Sequence, residues 1–74
     1  MSRRSERRKR LALGFKVAAQ LEAYGRITGS EKGALKDLIL DGDERVEEAL
    51  DGFFGQERSV HELLDAFLQI ASSA

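Results

Sequence analysis

Six cations fall within residues 3–10, Arg3, Arg4, Arg7, Arg8, Lys9 and Arg10, with Glu6 as the single carboxylate among them. Positive charge at that density neutralises phosphates and releases counterions without reading a base sequence, so this segment is a candidate for contact with a partner, nucleic acid included. The same composition serves nuclear import, an anionic surface or plain solubility, and it lacks the interleaved aromatics of a base-stacking surface. Ser5 follows Arg3 and Arg4, a context suited to a basophilic kinase, and a phosphate there would lower the local charge by up to about 2 units. A second cluster has the opposite sign. Glu44, Glu47, Glu48 and Asp51, with Asp43 nearby, share one face of a helix and present either a solvated surface or a dock for a basic partner. That partner includes the basic segment of the same chain or of another copy.

Catalysis is poorly supplied. A hydrolytic triad needs a nucleophile, a base and an orienting acid, but His61 is the only histidine and cysteine is absent. His61 and Asp65 stand four residues apart, a helical pair or half a metal site; Glu57 and Glu62 do not complete a known ligand spacing. The expectation is a chain that is no enzyme and uses neither metal nor cofactor.

The stretch QLEAYGRITGSE, residues 20–31, resembles the later half of an EF-hand calcium loop, with Gly25, Ile27 and Glu31 at the central glycine, the hydrophobic position and the final acid. Calcium needs about six or more oxygen ligands, however, and Gln20 and Tyr24 occupy the first and fifth ligand positions, with Glu22 at the third. A helix-turn-helix junction capped by Thr28 accounts for the same residues. The length and acidic helical plan are also similar to those of acyl carrier proteins. Those carry their prosthetic group on the serine of an Asp-Ser-Leu motif, whereas Ser30 lies between Gly29 and Glu31 and the motif does not occur.

Elements that would position these groups can be read from apolar spacing. Four amphipathic segments, separated by Gly-bearing junctions and with no alternating strand pattern, predict an all-α, compact four-helix array: helices at about 7–24, 30–40, 43–54 and 60–71. Three starts carry a capping-box pattern, Thr28 with Glu31, Asp41 with Glu44 and Ser59 with Glu62. Gly25 and Gly55 are the expected stops of the first and third helices. Around the first helix the apolar residues Leu11, Leu13, Phe15, Val17, Ala18, Leu21 and Tyr24 cover roughly 200°. Contact on two sides is therefore expected, with Gly14 and Ala18 allowing close approach. The other stripes are Ala34, Leu35, Leu38 and Ile39; Val46, Ala49, Leu50 and Phe53; and Val60, Leu63, Leu64, Phe67, Ile70 and Ala71. Phe15, Phe53, Phe54 and Phe67 place the expected core centre among the first, third and fourth helices, so Phe53→Ala should cost about 3 to 5 kcal/mol.

At 74 residues and a formal charge of -1 the chain is one small domain, burying roughly 60% of the surface its unfolded form exposes. Residues 1–10 carry +5 and the other 64 carry -6, so the near-neutral total joins a basic arm, expected to be disordered, to an acidic helical body (residues 11–74). A secretory or transit sequence is disfavoured, because Lys16 interrupts the apolar stretch Leu11 to Phe15 and the body needs that stretch as core; no run approaches the roughly 20 apolar residues of a membrane span. Intracellular placement, cytoplasmic or nuclear, is expected. The composition favours a non-enzymatic helical protein–protein interaction module. Leu13, Leu40, Phe54 and Leu68, off their helix stripes, point to a homo-oligomer or a bound partner helix. The alternative is nucleic-acid binding through the arm, weak and steeply salt-dependent against a body of net -6.

Overall fold

The structure, a computed structural model, describes the backbone of residues 3–73 and the side chains of residues 6–73. Four helices follow in order: α1 (Arg3–Ala23), α2 (Gly29–Asp41), α3 (Glu44–Phe54) and α4 (Val60–Ser73). The fold is all-α. α1 and α2 fold back on each other as one hairpin and α3 and α4 as a second, while α4 also lies against α1 and α2 and closes the core.

Local chemistry sets the junctions. At the end of α1, Gly25 takes a left-handed φ of 73°; its N–H donates to the Glu22 carbonyl and that of Arg26 to the Leu21 carbonyl, the paired bonds of a Schellman stop. Two residues later Thr28 opens α2. Its hydroxyl accepts from the Glu31 N–H while the Glu31 carboxylate accepts from the Thr28 N–H, so two donors that a helix start leaves unpaired are satisfied reciprocally. The junction from α3 to α4 repeats this device. Gln56 and Glu57 donate to the Phe53 and Gly52 carbonyls, and Ser59 and Glu62 form the second capping box.

The helix ends refine these expectations, and one cap is corrected. The described backbone is helical from Arg3 to Ala23, with no break at residue 10. Arg and Lys are good helix formers, and Glu6 in the first turn offsets some of the cationic load at the positive end of the helix dipole. Asp41 does not cap α3. It is the last residue of α2, Gly42 (φ 73°) supplies the left-handed stop, and Asp43 caps instead, its Oδ1 accepting from the Arg45 and Val46 N–H groups. α3 stops at Gly55 as expected, and Gly55 is its C-cap. Its φ is -78°, and Gln56 takes φ 62°.

The core gathers Val17, Ala18 and Leu21 from α1, Leu35 and Ile39 from α2, Val46, Ala49 and Leu50 from α3, and Leu63, Phe67, Ile70 and Ala71 from α4, with Ile27 from the first junction. No polar side chain of the described residues is buried. α1 and α2 approach closely at Gly14, where a Cβ would stand 3.1 Å from Ile39 Cγ2. The aromatic centre differs from the expected one. Phe67 alone is fully enclosed, Phe15 and Phe53 are half-buried, and Phe54 is exposed. Tyr24, just past the end of α1, keeps 65% of its surface in solvent.

Candidate functional site

Arg7, Arg8 and Lys9 occupy consecutive exposed positions of α1, fanning outward because each successive residue turns by 100°. The side chains of Arg3, Arg4 and Ser5 lie outside the described residues. Arg10 behaves differently from the rest of the basic segment. Its guanidinium turns toward α3, where Nε donates to Glu47 Oε2 at 3.1 Å, Nη2 bonds the same carboxylate and donates to the Glu47 carbonyl at 3.2 Å, and Nη1 pairs with Asp51 Oδ1 at 2.8 Å. The same group stands 5.8 Å from the Phe54 ring centroid, within cation–π range. Partial burial alone would lower the Arg10 pKa, but the bonds and charges of Glu47 and Asp51 outweigh it and hold Arg10 above its ordinary value.

The two charged clusters therefore meet inside one chain, through one cation and two carboxylates. Glu44 and Glu48 remain exposed on the acidic face. Arg10 belongs to the helical body, so a truncation through residue 10 would remove an interhelix contact as well as charge. In the loop that resembles an EF-hand, the carboxylates are already engaged: Glu31 in the capping box and Glu22 with Lys32 Nζ at 2.8 Å. His61 and Asp65 are both exposed, and among the described residues no group of three or more His, Cys, Asp or Glu could hold a metal ion.

One concavity among the described residues was not foreseen as a site. It is a groove of about 720 Å³ lined by α1 and α4, with Phe53 of α3 also in its lining. Leu13, Val17, Leu21, Phe53 and Leu64 make it apolar, and the exposed Tyr24 and Val60 extend that surface outward. Its polar groups are separated by wall. Lys16 and Gln20 belong to α1, with Arg26 just beyond its end, and His61 and Asp65 belong to α4. No ion pair among the described residues engages Lys16, Arg26 or Asp65. The signal in the sequence was the unusually wide apolar arc of α1, part of which faces this groove instead of the core.

Two smaller hollows, about 270 Å³ each, lie at Arg45, Arg58 and Gln69 between α3 and α4, and at Arg10, Leu11 and Ile39 where α1, α2 and α3 converge. Among the described residues no helix is long and apolar enough to cross a membrane. Compared with protein-family models, curated proteins and solved structures, the chain matches none.

Proposed function

We propose that this chain is a non-enzymatic helical protein–protein interaction module and that the groove between α1 and α4 is its docking face. The supporting observation is the pairing of an apolar groove with Tyr24 and Val60, which keep 65% and 49% of their surface in solvent on the same face. Apolar surface gathered in a concavity and bounded by polar groups has the composition of a recognition face, the polar groups fixing register and the apolar ones supplying affinity. The exposed cations Arg7, Arg8 and Lys9 and the carboxylates Glu44 and Glu48 act at longer range, steering encounter. An intracellular setting, cytoplasmic or nuclear, accords with this reading. Nucleic-acid contact through the basic turns of α1 is the alternative, favoured by the three adjacent exposed cations.

Photo-cross-linking separates the two. A photoreactive residue at position 24, 48 or 8 of the full chain reports on the groove, the acidic face and the basic turns respectively. Protein adducts from position 24, lost on Leu64→Asp and absent from position 48, are expected. Nuclease-sensitive adducts from position 8, with none from position 24, would replace this reading by the alternative.

A further inference from the structure

We infer that the occupant of the groove is a second copy of this chain, placed by a two-fold axis running along the groove. This rests on the reading of the groove as a docking face. Opposite walls carry opposite free charge: Lys16 on α1 and Arg26 just beyond it, against Asp65 on α4. Elsewhere among the described residues four ion pairs neutralise charge inside the chain, Arg10 with Glu47 and with Asp51, Glu22 with Lys32 and Asp43 with Arg45, whereas the exposed charges Arg7, Arg8, Lys9, Glu44 and Glu48 lie outside the groove.

A self-complementary interface sets each patch of one copy against its counterpart in the other. With the axis along the groove, the α1 wall of each copy faces the α4 wall of its partner, so the wall bearing Lys16 and Arg26 lies across from the wall bearing Asp65 in both halves of the pair. Turning the axis across the groove would set the basic α1 wall against its own copy and the Asp65 wall against its own copy. An acidic helix in the groove would leave Asp65 facing like charge, and a basic one would do the same to Lys16 and Arg26; a second copy complements both walls. Closing the pair also covers Tyr24 and Val60, which together with Leu40 and Phe54 are the exposed large apolar side chains of the described residues.

Sedimentation of the full chain over a concentration series, with Lys16→Glu and Asp65→Lys, tests this. Both positions are exposed, so helix content should not change in either variant. The wild type should associate reversibly to a dimer. Each single variant, which repels at two symmetry-related places, should associate at least about tenfold more weakly. The equimolar mixture of the two variants should recover to within about threefold of the wild type. A mixed pair sets the introduced carboxylate against the introduced ammonium on one side and keeps the natural pairing of Lys16 with Asp65 on the other. A wild type that stays monomeric up to about 1 mM, variants that associate as it does, or a mixture no stronger than its parts would overturn the second copy as occupant. If the chain is monomeric yet position 24 still cross-links a different protein, the second copy falls and the docking face stands. Absence of both removes the docking face as well.

Discussion

Arg10 is the residue on which the charge pattern of the chain turns. It sits at the end of the basic run, yet its guanidinium is half-buried between Glu47, Asp51 and the Phe54 ring. Arg10→Gln removes the shared cation and leaves two carboxylates one turn apart. Discounted for the exposure of Asp51 and Glu47, the loss should be about 1 kcal/mol in urea unfolding, shrinking in 1 M salt as the ion pairs are screened. An equal loss at both salt levels would assign the contribution to packing of the Arg10 stem. Gln56 is the only described non-glycine residue with positive φ, so Gln56→Gly should raise stability by about 0.5 to 1 kcal/mol, whereas Gly42→Ala, with open space around its Cβ position, should lower it through φ alone. Glu62 accepts from the Ser59 N–H and lies close to its hydroxyl, and these bonds hold its carboxyl below the ordinary 4.5. A group depressed by folding stabilises fully above its unfolded value and loses that contribution as pH falls through its folded value. Thermal melts should therefore weaken below about pH 4.5, and Glu62→Gln should flatten part of that slope; an unchanged slope would place the acid sensitivity elsewhere, with Asp43 the next carboxylate to test.

At the scale of elements, the helices were legible because each start and stop has a chemical signature close in sequence. Thr28 with Glu31 and Ser59 with Glu62 are three residues apart, and both boxes form as spaced. Asp41 with Glu44 has the same spacing and fails, since pattern alone does not show that Gly42 intervenes as the left-handed stop and that Asp43 stands one residue before α3. Gly55 ends α3 as expected, without itself taking the left-handed conformation. Any residue can take the left-handed position if the bonds to Phe53 and Gly52 are worth its strain, and Gln56 does. At the start of α1 two tendencies compete: like charge argues for disorder, whereas Arg and Lys propensity and continuity with a packed helix argue for helix. Of the site, the charged clusters were visible as runs, but their meeting through Arg10 joins residues far apart in the chain, 37 positions in the case of Glu47, a separation no local pattern encodes. The groove depends on which part of the α1 arc the other helices leave uncovered. Only tertiary packing decides that.

For the whole molecule, the core is organised around Phe67, enclosed completely, with Leu35, Leu50, Leu63 and Val46 packed to the same degree. Phe67→Ala should cost about 3 to 5 kcal/mol, whereas Phe53→Ala, half-buried in the groove lining, should cost roughly half as much. Chemical denaturation that ranked Phe53 above Phe67 would relocate the aromatic centre. The two hairpins meet across this core but are joined covalently by only Gly42 and Asp43 between α2 and α3. In polymer terms that link is a tether, whose contribution is the high effective concentration at which it holds one hairpin beside the other. Cutting the chain between Gly42 and Asp43 leaves every helix, both capping boxes and the Asp43 cap within a fragment. The two pieces should then recombine as a bimolecular complex, making the stability of this fold a quantity that rises with concentration and falls on dilution.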